Sequence, residues 1–205
     1  MQKEEYINRK NDMISYLQEY LLNRSTTKKI YIDHHFEELL SPFSEKLDEL
    51  IHMQLELQKE GRQEKIRTIC FFQLLTSGYT GSNEMAIGMS NSKLYMDKNI
   101  SYVYWKPELI YKSIEMDIKE AEQLLRKKFI RLEEYELFSV KQKLLSDDWK
   151  VFCKIIEKLF YEIAPQISES GLAMEKKVHV LCGNYRNRLN TVCYINTEKG
   201  EIYGQ

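Results

Sequence analysis

The chain has 205 residues, 43% of them hydrophobic, and its 30 basic and 31 acidic side chains leave a formal net charge of −1. That balance gives no overall pull toward a polyanion, because phosphate neutralisation supplies much of a nucleic-acid binder's affinity, and nucleic acid is not the expected partner. The cysteines at Cys70, Cys153, Cys182 and Cys193 are too few and too irregular for a disulfide framework, and no window approaches the ~20 apolar residues of a membrane span, so the expectation is a soluble, cytoplasmic chain with reduced thiols and no membrane association.

No stretch rich in Pro, Gly or Ser divides the chain, which predicts a single compact domain over 1–205 with an α+β fold. Residues 1–76 read as helical. Met13, Leu17, Tyr20 and Leu21 recur at helical spacing, and the polar run Asn23 to Lys29 reads as the end of that first helix. Ser41-Pro42 has the form of an N-cap followed by proline at the first helical position, which predicts a second helix carrying Phe43, Leu47, Leu50 and Ile51. Gly61 then separates it from a third helix on which Ile66, Ile69, Cys70, Gln73 and Leu74 fall three and four apart, giving an αα-hairpin.

From Ser77 the helical period fails, and Met85, Ile87 and Met89 alternate; with extended runs at Lys93 to Asp97 and Ser101 to Trp105 this predicts a β meander over 84–105. Helix returns over 107–164. Pro107 opens one segment lined by Ile110, Ile114, Ile118, Ala121 and Leu125, and Ser146-Asp147-Asp148 reads as the cap of another that carries Trp149, Phe152, Ile156, Leu159, Phe160 and Ile163 until Pro165 ends it. Residues 177–203 alternate again, Val178, Val180 and Cys182 against Val192, Tyr194 and Asn196, as a C-terminal β-hairpin. The expected architecture is thus a bundle-like layer of five or six helices with a small antiparallel β component, its two segments either sharing a sheet or standing apart.

Several residue clusters bear on function. Ile30-Tyr31-Ile32-Asp33-His34-His35 resembles, over six residues, the metal-binding signature of the DHH phosphoesterases. That family also uses an acidic motif after an earlier strand, whereas the 29 residues upstream here form a predicted helix with the one aspartate Asp12. A two-metal site needs several converging carboxylates and histidines, so Asp33 reads as a helix cap, with His34 and His35 as weak metal candidates only. Gly78-Tyr79-Thr80-Gly81-Ser82 lacks the lysine of a phosphate-binding loop and no nucleophile elbow is present, so no catalytic residue and no cofactor are assigned.

The remaining signal is aromatic. Tyr102, Tyr104 and Trp105 on one β segment, and Tyr185, Arg186 and Arg188 on the C-terminal turn, offer large contact area beside guanidinium groups. They are the predicted partner-binding residues, with another protein as partner. The expected function is a non-enzymatic binding or inhibitory module, of the bacterial immunity or antitoxin type; a metal- or nucleotide-dependent enzyme or regulator without a short linear motif, with Asp33, His34 and His35 as its polar cluster, is the alternative, and a nucleic-acid accessory using Tyr185, Arg186 and Arg188 a further one.

Overall fold

A computed structural model describes residues 2–198 and 200–204, so the outermost positions of the predicted 1–205 domain, Met1 and Gln205, lie outside the described residues. The chain forms two compact units: one from Met1–Phe36 with Glu108–Val151, the other from Glu37–Pro107 with Phe152–Gln205.

In the first unit, α1 (Gln2–Tyr16) is followed by α2 (Gln18–His34), and the later segment supplies α5 (Glu108–Tyr111), α6 (Ile114–Arg126) and the beginning of α7 (Glu134–Glu169). The polar run from Asn23 to Lys29 does not end a helix, as predicted, but lies inside α2. Its buried stripe is Leu21, Arg24, Lys28 and Ile32, spaced three, four and four, so the helical period is carried on through the polar run by two cations. Asp33 is likewise not a cap; it lies in the last turn of α2. Nor do Ser146, Asp147 and Asp148 start a helix, because α7 runs through them without a break.

The second unit holds α3 (Phe36–Lys59) and the sheet. Its chain order is β1 (Ile66–Gln73), α4 (Leu75–Thr80), β2 (Met85–Ser90), the 3₁₀ turn η1 (Leu94–Met96), β3 (Ser101–Trp105), then the later part of α7, and β4 (Met174–Asn184), β5 (Leu189–Asn196) and β6 (Glu201–Gly204). The α+β class holds. The strands form one mixed sheet in the order β3-β2-β1-β4-β5-β6, in which every neighbouring pair is antiparallel except β1 and β4.

Two expectations are corrected by β1. Residues 66–73 are a strand rather than the third helix, and by pairing with β2 on one side and β4 on the other they join the two predicted β segments into a sheet that is mixed rather than purely antiparallel. The residues Ile69 to Phe72 are buried on both faces of the sheet, so no polar-apolar alternation marks them as extended, and a continuous apolar run satisfies helical spacing by accident. Two prolines read as boundaries also lie inside helices, Pro42 in α3 and Pro165 in α7, and Lys93 to Asp97 forms the turn around η1 rather than a strand.

One sheet face packs on helices. Phe71 of β1 lies 5.9 Å from Phe43 of α3, and 5.9 and 5.8 Å from Phe152 and Phe160 of α7, all ring centroid to centroid, while Trp105 closes the group 5.3 Å from Phe43 and 5.7 Å from Phe152. Tilted and edge-to-face contacts at these spacings add to the area that such large rings remove from water. The face carrying Cys70, Phe72 and Tyr102 points the other way, and the candidate site lies there.

Candidate functional site

Side chains on this second face are fixed by register. Tyr102 of β3 stands opposite Gly88 of β2, which stands opposite Cys70 of β1, and Leu181 of β4 follows; one row over, Tyr104, Ala86, Phe72 and Gly183 are aligned in the same way. Gly88 has a steric reason to be glycine: a Cβ there would come within 2.8 Å of the Tyr102 ring, so the missing side chain is the space across which that ring lies. Gly183 plays the same part at the base of the β4–β5 hairpin, where a Cβ would reach 2.1 Å from the Arg188 carbonyl oxygen.

Residues distant in sequence meet on this face. Phe72 has the rings of Tyr95, Tyr102 and Tyr185 at 5.8, 6.0 and 5.4 Å, and Tyr185 lies 5.8 Å from Tyr95 and 6.3 Å from Tyr102. Tyr95 comes from η1, whose position is set by a buried polar network around Asp97. The Asp97 carboxylate accepts hydrogen bonds from the backbone N–H groups of Asn91 and Asn99, from Gln63 Nε2 and from the Ser90 hydroxyl, at 2.9–3.0 Å. Burial alone would raise its pKa, but these donors together outweigh burial and hold it below the ordinary carboxylate value. The Tyr95 hydroxyl in turn accepts from the Arg186 N–H at 3.0 Å, tying the hairpin loop to the cluster. Arg186 itself has φ 55°, a left-handed backbone conformation that non-glycine residues adopt rarely. Burial first, and then the neighbouring Tyr185 side chain, push the Tyr102 phenol above its usual range.

Of the residues singled out from sequence, Tyr102 and Tyr185 are thus brought together, Tyr104 is 60% exposed on β3, and Arg186 and Arg188 are exposed on the loop. Trp105 points to the opposite face and is 4% exposed. Further along the second face His179 packs edge-on against Tyr194 at 4.9 Å, and Lys177 Nζ sits 3.7 Å above the same ring, so positive charge accompanies the aromatics. Burial first, then Lys177 and Arg67, lower the His179 pKa below 6.5.

The residues weighed as metal ligands lie elsewhere, on the last turn of α2. His35 stacks on Tyr31 with centroids 4.2 Å apart, and its Nδ1 is 2.8 Å from the Tyr31 carbonyl oxygen, so its ring is engaged with its own helix. Among the described residues no group of three or more His, Cys, Asp or Glu side chains is placed to hold a metal ion.

A second arrangement, in the first unit, was not visible from sequence. Arg24 and Lys28 of α2 meet Asp117 of α6 and Asp148 of α7: Arg24 Nη2 is 2.7 Å from Asp117 Oδ2, Arg24 Nη1 is 2.8 Å from Asp148 Oδ1, and Lys28 Nζ is 2.8 Å from Asp148 Oδ2. Lys28 also donates to the Ile110 carbonyl at 2.9 Å. Asp148 is fully buried, and desolvation lowers the Lys28 pKa despite its partners. The only trace in sequence is the i, i+4 spacing of Arg24 and Lys28 in register with Leu21 and Ile32; their acids are about a hundred residues away in the chain and carry no local mark. Among the described residues no helix is long and apolar enough to cross a membrane. Comparison of the chain with protein-family models, with curated proteins and with solved structures found no match.

Proposed function

We propose that this chain is a binding module that seats a partner protein, through an acidic surface of that partner, on the second face of its sheet. The supporting observation is the grouping of half-buried Tyr102 and exposed Tyr104 and Tyr185 with the exposed arginines Arg186 and Arg188 on one tethered loop. Tyrosine and arginine dominate the residues that carry binding energy at protein interfaces, because a rigid ring or planar fork covers large area at small entropic cost. The aromatic rings here already meet edge to face rather than lying open as flat platforms, which favours a protein surface over stacked bases. The cations Lys177, Arg186 and Arg188 set the sign of the partner's surface. The left-handed conformation at Arg186 fits this role, since strained backbone held by its surroundings concentrates at binding loops. Neutralising the partner, as immunity- and antitoxin-type proteins do, is the action this reading assigns.

The test is capture from cell lysate by the wild type, by Tyr104→Ala and by the double variant Arg186→Glu/Arg188→Glu, each with nuclease present. The expected result is one protein retained in near-equal amount by the wild type, weakened by Tyr104→Ala and lost from the charge-reversed variant. A photo-crosslinking residue at position 104 should then join the two chains. Retention that is equal in all three proteins, or that disappears with nuclease, overturns the proposal.

A further inference from the structure

A pocket of about 640 Å³ lies within the first unit, between α2 on one side and α5 and α6 on the other, and its volume is in the range that small-molecule sites occupy. On the α2 wall Tyr20, Arg24, Thr27 and Tyr31 follow one another at four, three and four residues, a single helical stripe about 16 Å long. The opposite wall supplies Leu109 from α5 and Met116 from α6, and with the two tyrosines these make the lining mostly apolar. Leu109 is 8% exposed and set into the wall, whereas Met116 is 65% exposed and its unbranched thioether is free to fold over an occupant.

The polar groups of the pocket are committed to one another. Arg24 reaches Asp117 and Asp148, Lys28 reaches Asp148 and the Ile110 carbonyl oxygen, and the Ser113 hydroxyl donates to Asp117 at 2.9 Å. The Tyr20 hydroxyl lies 3.0 Å from the Asp117 carbonyl oxygen and 3.3 Å from Glu120 Oε2. Lys112 and Glu120 are exposed, one of each sign, so with Asp148 behind the lining Arg24, Lys28 and Lys112 balance Asp117, Glu120 and Asp148. A charged ligand of either sign would give up its hydration to enter a site whose counter-charges are already paired, and nothing there offsets that loss. An uncharged ligand loses no such hydration and gains by covering the tyrosine, leucine and methionine side chains. The tyrosine rings and the methionine sulfur favour a flat ring over an alkyl chain. We infer that this pocket binds an uncharged aromatic small molecule, lying along α2 between Tyr20 and Tyr31 with Leu109 and Met116 against its other side. The site belongs to the first unit and does not depend on the role proposed for the sheet face.

The probe is N-phenyl-1-naphthylamine, an uncharged dye that fluoresces on leaving water, compared with 8-anilinonaphthalene-1-sulfonate, which has the same ring body and one anionic group. The native protein should bind the neutral dye at one saturable site and the sulfonate about tenfold more weakly, as the unreturned hydration of the charge implies. Thr27→Trp and Met116→Trp fill the pocket from exposed positions that folding tolerates; with circular dichroism unchanged, both should lose the site. Tyr104→Ala, on the sheet face, should bind the neutral dye as the wild type does. Absence of one-site binding, a sulfonate affinity equal to or above that of the neutral dye, unchanged binding in either folded tryptophan variant, or loss of binding in Tyr104→Ala overturns the inference.

Discussion

The two units solve the same problem of holding helices in place with opposite chemistry. In the second, Phe43, Phe71, Trp105, Phe152 and Phe160 interlock between helices and sheet with no polar atom beyond one indole N–H, whereas the first buries Arg24, Lys28, Asp117 and Asp148 among its helices. Apolar contact is non-directional and tolerates small shifts of one element against another. A buried ion quartet is satisfied only when every partner is within hydrogen-bond reach, so it specifies position but adds little net stability over an apolar replacement.

The largest effects follow from removing one member of each set. Asp148→Ala leaves two buried cations short of an acid and should cost about 3–5 kcal/mol, and Phe71→Ala should cost a similar about 3–5 kcal/mol through the cavity it opens, both read from urea unfolding. The comparison sharpens in the rescue. Replacing the whole quartet, with Arg24→Met, Lys28→Met, Asp117→Leu and Asp148→Leu together, should return stability to about the wild-type value or above it, because all four desolvation costs vanish with the attractions. An Asp148→Ala protein as stable as wild type would mean that the quartet is not the organising feature of its unit.

A smaller effect is expected at Gly88. Alanine there meets the Tyr102 ring, which is held by Phe72 and Tyr185 and cannot swing freely, so Gly88→Ala should cost about 1–3 kcal/mol by overpacking and change the near-ultraviolet circular dichroism of the tyrosines. Gly88→Ala with an unchanged tyrosine signal would show that the ring is looser than its contacts imply.

How much of this was legible beforehand depended on whether the buried face of an element was apolar and on how many of its faces were buried. Strand β4 was readable because Val178, Val180 and Cys182 are buried while Lys177, His179 and Leu181, which alternate with them, are not, so alternation survives in the sequence; on β5 the buried residues are Cys193 and Ile195, paired with Val180 and Val178, rather than the alternating set Val192, Tyr194 and Asn196. At β1 both faces are buried and the alternation is erased, which hid the strand that makes the sheet continuous and mixed. In α2 the buried face is part cationic, and a rule that equates burial with hydrophobicity ends the helix at Asn23. The site divides in the same way. Aromatic and arginine residues at β3 and at the hairpin turn could be singled out by type, but that Tyr102 and Tyr185 meet through Phe72 and Tyr95 is a property of register, and the quartet with its pocket is a property of packing between segments remote in sequence.

The smallest effect tests how a titratable group on the sheet adds to the charge dependence that buried Asp97 already gives the second unit. His179 faces Thr68 on β1 and Tyr194 on β5, with Lys177 two residues away on its own strand and Arg67 near enough to act on it. Burial first, and then these two cations, disfavour its charged form, so its folded pKa lies below the unfolded value of 6.5. The unfolded chain therefore takes up this proton at higher pH than the folded one. The contribution is fully present above 6.5, is lost as pH falls through 6.5 toward the depressed folded value, and changes no further below both. Thermal melts of the wild type and of His179→Gln across this range should diverge, the wild type losing more melting temperature on acidification and the variant following a shallower course. Parallel curves would show that His179 titrates alike in both states. A wild type that gains stability on acidification relative to the variant would mean that an acidic partner, rather than Lys177 and Arg67, dominates the surroundings of this ring, and the cationic character assigned to the docking face would have to be withdrawn with it.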